Sequence, residues 1–295
     1  MKKWIVLTVL LSAAFQSKAQ LSEKELLKKT EEVVKNITME KPNGWTKKGV
    51  ATFIANQSIF NNWLAGGQTS FAGNVTFNYD FNYKSDTWNW DNKLTAGYGI
   101  TKVKQQDLQK TDDRVQFNSL LGKKFTEVWY YSSFFNFKSQ FDSGFEGGIK
   151  TSRFFSPVYM QFGLGVLWKR SDNFKINVAP ATSKVVLVAK KFTVNGPSFG
   201  VLQGETMRYE FGAAVNAYYK CTLMENVTME NILNMYSNYN EDPQNVDLDY
   251  TLNINMKVNK YLSTNFAFQT IYDDNAFPGF QTRQNIGVGV NYTFQ

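Results

Sequence analysis

The sequence predicts an all-β fold: a transmembrane, antiparallel up-and-down β-barrel of about twelve strands, with a short amino-terminal periplasmic helix before it. Three observations predict it. Apolar and polar residues alternate strictly in segment after segment. The connections between those segments alternate short and long. One face of nearly every segment is apolar and rich in Phe, Tyr and Trp. The 295 residues include 25 Phe, 15 Tyr and 7 Trp beside only 6 Pro and 1 Cys, which excludes a disordered chain, a collagen-like chain and a disulfide scaffold.

From the amino terminus, Lys2-Lys3 precede an apolar run from Trp4 onward, and Ser17-Lys18-Ala19 places small residues where a signal peptidase reads. Residues 1–19 are therefore expected to be a signal peptide. Gln20 would be the new amino terminus, which offers no cysteine for a lipid anchor. Residues 20–47 are expected to hold a periplasmic amphipathic helix and a linker, with Leu26, Leu27, Val33, Val34 and Ile37 on one stripe. The barrel is expected to occupy 48–295.

There the period changes from about 3.6 to 2. In residues 71–83 every odd position is Phe, Gly, Val or Tyr, and the even ones are Ala72, Asn74, Thr76, Asn78, Asp80 and Asn82. Residues 246–258 show the same alternation, as do 88–100, 158–168, 209–221, 262–272 and 286–294. Weaker runs lie at 48–58, 113–121, 127–141, 174–180 and 227–236. Short connections are expected near 84–86, 122–126, 169–173, 222–226 and 259–261. Long ones are expected near 59–70, 101–112, 142–155, 181–206, 237–245 and 273–283. Tight turns at one end and extended loops at the other are the habit of outer-membrane barrels, and an even strand count puts both termini in the periplasm.

A soluble barrel or sandwich would also alternate, but its outer face should be charged. Here Trp88, Trp90, Trp129, Tyr131, Phe141, Trp168, Tyr219, Tyr236, Tyr250, Tyr261 and Tyr272 are candidates for interfacial girdles. The final residues, Asn285 to Phe294 followed by Gln295, resemble the carboxy-terminal signal by which barrels are recognised for insertion, with one residue added after the aromatic. The segment Trp63-Leu64-Ala65-Gly66-Gly67-Gln68-Thr69-Ser70, with Asn136-Phe137-Lys138-Ser139-Gln140-Phe141 and Ser156-Pro157, resembles a Bacteroidota outer-membrane family catalogued as a domain of unknown function. The resemblance implies a location and carries no activity.

With the apolar face outward, the lumen is amide-rich and of mixed charge. Arg208, Glu210, Lys220 and Glu230 are its selectivity candidates, set against the plainer reading that they pair and stiffen the wall. Seven glycines (Gly97, Gly99, Gly163, Gly165, Gly212, Gly287, Gly289) should face inward, where they either clear a passage or let side chains interdigitate. Trp63, Gly66, Gly67, Val185 and Leu187 are the loop candidates. The run Val185-Val186-Leu187-Val188 is expected in an outer loop that packs on itself. Asp242, Asp247, Asp273 and Asp274 match no calcium-loop spacing and read as solvated charge.

The chain has no histidine, which removes Ser-His and Cys-His catalysis and the commonest transition-metal sites. No enzyme activity, cofactor or metal is expected. The formal net charge is +7; Lys2, Lys3 and Lys18 fall in the leader and leave +4, scattered, so no nucleic-acid partner is expected. The expected partners are outer-membrane lipids and lipopolysaccharide, the barrel-insertion machinery and an envelope protein. The polar lumen and long outer loops predict a narrow channel for small hydrophilic solutes; the alternative is a closed barrel acting as scaffold or accessory subunit of an envelope assembly.

Overall fold

The computed structural model describes residues 43–59 and 69–295. The expected signal peptide and amphipathic helix lie outside the described residues, as do Trp63, Gly66 and Gly67.

Twelve strands close into an antiparallel barrel: β1 (Gly44–Ser58), β2 (Ser70–Lys84), β3 (Trp88–Val103), β4 (Gln109–Lys124), β5 (Trp129–Ser139), β8 (Val158–Ser171), β9 (Phe174–Leu187), β10 (Met207–Met224), β11 (Val227–Asn238), β12 (Val246–Lys257), β13 (Leu262–Asp273) and β14 (Phe277–Phe294). Each pairs with its neighbour in sequence, and β14 returns to β1. The loop between β5 and β8 adds a small separate hairpin of β6 (Gly144–Glu146) and β7 (Ile149–Ser152), which the alternation did not reveal.

Polar side chains bonded to nearby backbone hold the tight turns at one end. Ser85 accepts from the Trp88 amide at 3.1 Å, and Asn259 accepts from the amides of Tyr261 and Leu262 at 2.8 and 2.9 Å. In the two-residue connection between β10 and β11, Asn226 takes φ 64°, a left-handed conformation that Asn tolerates. The long connections lie at the opposite end. Contrary to expectation they are not all long: β13 and β14 are joined by 274–276 alone, and β3 and β4 by 104–108.

The largest correction concerns β9. The alternation breaks at Pro180, and the sequence reads as a loop from 181. The strand instead passes through a bulge there. The register slips against both neighbours, between Leu164 and Val166 on β8 and between Gly212 and Ala214 on β10, and pairing then continues to Leu187. A bulge is where a strand accommodates a residue with no N–H to donate. Val185 and Leu187 are therefore wall residues paired with Met160 and Val158, not loop residues. The true loop, 188–206, does pack on itself. Val188 and Val201 bury against Val186, with Phe192, Phe199 and Tyr159 around them, and Thr193 donates to the carbonyls of Lys190 and Glu205.

The period-2 pattern sorts the two faces as expected. Phe53, Val75, Phe162, Leu164, Val288 and Val290 point outward and are exposed, which is the reverse of a soluble protein's surface. At the tight-turn end the outward rings meet: Trp45 lies 5.6 Å from Trp90, and Trp129 lies 6.4 Å from Trp168. The seam is closed by Phe294, whose ring lies over Gly49 and stacks against Phe77 and Tyr79. Tyr236 is an exception to the expected girdle. It sits opposite Ala214, inside the barrel and 4% exposed.

Candidate functional site

The functional candidate is the lumen, which is occupied by its own side chains. At mid-height Phe134, Ala179, Ala214 and Tyr236 form a buried cluster with Leu120 against it. Gly163 faces Phe134 across the β5–β8 pair, and a Cβ there would collide with the Phe134 ring and the Thr182 hydroxyl. Gly97, Gly99, Gly287 and Gly289 are likewise met by side chains and serve interdigitation, whereas at Gly165 and Gly212 a Cβ would meet the backbone of the neighbouring strand. Beside the cluster runs a ladder of amides. Ser132 donates to Asn177 at 2.5 Å, Asn177 to Asn216 at 3.3 Å, and Asn216 to Asn234 at 2.9 Å.

Ion pairs strap the lumen crosswise. Lys93 on β3 reaches Glu230 on β11 at 3.9 Å. In the ring these two strands are six steps apart by either route, β3-β4-β5-β8-β9-β10-β11 or β3-β2-β1-β14-β13-β12-β11, so the pair spans the diameter. Lys138 on β5 meets Asp249 on β12 at 3.6 Å, and Arg283 on β14 meets Asp112 on β4 at 2.8 Å. Asp91 on β3 is held by Lys175 at 2.6 Å and Lys169 at 3.4 Å, and Lys169 also donates to Asn89 at 2.6 Å.

Toward the long-loop end lies the densest group. Lys184 on β9 sits 2.7 Å from Asp247, 3.4 Å from Asp273 and 3.6 Å from Glu210, which also pairs with Arg208 at 2.6 Å. The Lys184 ammonium lies 5.1 Å from the Tyr236 ring centroid. Loop 188–206 folds over this end. The Arg208 guanidinium lies 3.4 Å from the carbonyl of Gly200, and a Cβ on Gly200, whose φ is +78°, would stand 3.5 Å from the Asn275 carbonyl in the β13–β14 connection.

A cavity of about 150 Å³ remains at this mouth, lined by Glu210, Asn238, Glu241, Asp242, Asn245, Asp247, Asp274 and Asn275. Carboxylate oxygens of Asp247, Asp273 and Asp274 lie within 4.8 Å of one another. A hard cation prefers such oxygens, but Lys184 already engages Asp247 and Asp273, and Asp274 is exposed.

The four predicted lumen residues do not form one constriction. Arg208 and Glu210 meet near the long-loop mouth. Lys220 and Glu230 face each other in register near the tight-turn end, about 40 Å along β10 from Arg208. There Lys220 is exposed, and Glu230 is held by Tyr218 at 2.8 Å and Asn253 at 3.2 Å as well as by Lys93. Glu210 and Glu230 are likewise about 30 Å apart along the strand, beyond the separation at which two carboxylates share acid-base work. Sequence reasoning missed Lys184 because it fell beyond Pro180, and Asp112 because the alternation at β4 is weak. For Asp112 parity was the available signal, since 112, 114, 116 and 118 share one face of β4; for Lys184 parity misleads, because the inward residues of β9 change from odd (Asn177, Ala179) to even (Thr182, Lys184) at the bulge.

The sequence matches the family described as "Protein of unknown function (DUF3078)" over residues 55–145, from the end of β1 to β6. No curated protein matches the chain. Solved structures of similar fold include the translocator domain of the autotransporter NalP from Neisseria meningitidis, at 11% identity over 92% of this chain and 96% of that one, with a TM-score of 0.40. An outer membrane channel from Pseudomonas putida F1 matches at 7% identity over 86% and 96%, TM-score 0.40. Outer membrane phospholipase A from Escherichia coli matches at 11% over 84% and 97%, TM-score 0.36. The twelve-stranded closure itself stands on the strand pairing, not on these low scores.

Proposed function

We propose that the chain is a bacterial outer-membrane β-barrel whose lumen is shut by its own side chains, and that it works as a scaffold or accessory subunit of an envelope assembly. The outward belt of exposed apolar residues between two aromatic rims supports insertion in a bilayer. Both described chain ends, Asn43 and Gln295, lie at the tight-turn end, which on this reading is periplasmic. The observation that carries the closed lumen is the Lys93–Glu230 pair across its diameter. No catalysis is proposed, since the chain lacks histidine and the inward carboxylates of Asp91, Asp112, Glu210, Glu230, Asp247 and Asp249 are engaged by cations or amides.

A second reading, a gated narrow channel for small hydrophilic solutes, is favoured by the chemistry of the straps. They are ionic and amide contacts, which water can replace, rather than an apolar plug along the whole length. Liposome swelling separates the two. Refolded protein in vesicles should leave the permeability to a small sugar unchanged. A swelling rate that rises with the amount of inserted protein would turn the assignment to a channel.

A further inference from the structure

The loop between β5 and β8 is built against the outside of the barrel, not over its mouth. Asp113 faces outward on β4, and its carboxylate accepts from the amides of Phe141 and Asp142 at 2.7 and 3.0 Å. Tyr98, outward on β3, donates to the Asp142 carboxylate at 3.0 Å. Phe155 packs 5.6 Å from Phe137, which is outward on β5, and Phe154 meets Phe155 at 4.4 Å. The β6–β7 hairpin thus stands beside the rim, with Phe145 66% and Ile149 72% exposed. A patch of this size on a hairpin that small is not a self-sufficient surface.

The charges at this rim are as distinctive as its rings. Lys150 and Arg153 of this loop and Lys190 and Lys191 of the neighbouring loop are all exposed. Among the described residues none of the four forms an ion pair, whereas Lys93, Lys169, Lys184 and Arg283 in the lumen are all paired. The two loops touch, the Ser156 hydroxyl accepting from the Ala189 amide at 2.8 Å, and Lys191 is pushed below the usual lysine value by desolvation and by the Arg153 and Lys150 charges. Like charges held together beside exposed rings are an unfavourable arrangement in water, and they become favourable when an anion sits among them. Of the loop's two carboxylates, Asp142 is engaged by Tyr98 and by the Ser143 amide, and Glu146, exposed on the hairpin, forms no ion pair with any of the four cations.

We infer that this rim is a binding site for a phosphorylated glycolipid of the outer leaflet, with Lys150, Arg153 and Lys191 on its phosphate groups and Phe145, Ile149 and Phe154 among its acyl chains. The assignment rests on the membrane reading above and adds the partner. Apolar rings continuous with the outward belt place the acyl part, and the cations beside them, Lys150 in register with Phe145 and Arg153 adjoining Phe154, place the phosphates, the two parts that a lipid of that leaflet presents together. The opposite rim carries aromatic rings as well, and Lys123 and Lys260 lie over Trp88 and Tyr261 there at 5.6 and 5.5 Å; Lys191 likewise lies 4.7 Å from the Phe192 ring centroid, so the grouping of Lys191 with Lys150 and Arg153 is what sets this rim apart.

The test uses the full mature barrel in neutral-detergent micelles, titrated with bis-phosphorylated lipid A and with the same glycolipid stripped of both phosphates. Native mass spectrometry reads the retained lipid. Wild-type protein should hold the phosphorylated form about tenfold more tightly. The variant Lys150→Gln/Arg153→Gln/Lys191→Gln should lose that preference, while Lys47→Gln/Lys123→Gln/Lys260→Gln at the other rim keeps it. Single substitutions are run alongside, so a triple variant that misfolds still leaves a graded readout. Equal retention of the two glycolipids by the wild type, or equal loss in both triple variants, overturns the site. Failure of the membrane reading has a different signature: a heat-modifiable, folded protein that stays monodisperse without detergent and never partitions into vesicles.

Discussion

The wall made by β8, β9 and β10 and the wall made by β13, β14 and β1 face the same lumen and are built differently. The first is dense. Leu167, Asn177, Ala179, Thr182 and Ala214 are fully buried there, and Lys169, Lys175 and Lys184 reach out from it to β3, β12 and β13. The second is lined by Gly287, Gly289, Ala267 and amides, and sends one strap, Arg283, to Asp112. Its backbone is thinner as well. β1 pairs with β2 from Gly44 to Ser58, but with β14 only from Gly49 to Ile54. The lumen is therefore closed chiefly from one side, and any opening would cost least along the β14–β1 seam.

The largest effect should follow from removing the centre of the dense wall. Lys184→Met leaves Glu210, Asp247 and Asp273 with one cation fewer in a site where the lysine side chain is 8% exposed. About 3–5 kcal/mol of stability should be lost, read by urea unfolding in micelles. A charge on the outside of the same wall comes next. Leu164→Arg should cost about 2–4 kcal/mol if β8 crosses lipid and almost nothing if its outer face meets water, so this variant sharpens the membrane assignment too. Overfilling the dense wall with Gly163→Val, against Phe134 and Thr182, should cost about 1–3 kcal/mol. On the open wall, Asn285→Ala touches an exposed, inward residue of β14 beyond its pairing with β1 and should change stability by no more than about 0.5 kcal/mol. A loss at Asn285 equal to that at Gly163 would erase the distinction between the walls.

How much of this was legible in the sequence follows the same division. Strands with strict alternation, such as β2 and β12, were bounded to within a residue or two, because a period of 2 with one apolar face admits a single register. Their inward sets, Asn74 to Asn82 and Asp247 to Lys257, came with them. Pro180 hid the far half of β9 and with it Lys184, since a bulge shifts parity and looks like a strand end. Tyr236 was placed outside by residue type, although Glu230 and Asn234 on the same strand already fixed its parity. The straps were invisible for a different reason. Alternation says which residues face the lumen, but not which strand stands opposite, and Lys93 meets Glu230 only because the ring has twelve members.

Single-channel recording in a planar bilayer tests the closed lumen most directly, using protein shown to be folded by heat-modifiable gel mobility. Wild type is set beside the Lys93→Ala/Phe134→Ala variant, which removes the diametric strap and the central ring. The closed barrel predicts silence from the wild type and resolvable current from the variant. A steady open current from the wild type would contradict it.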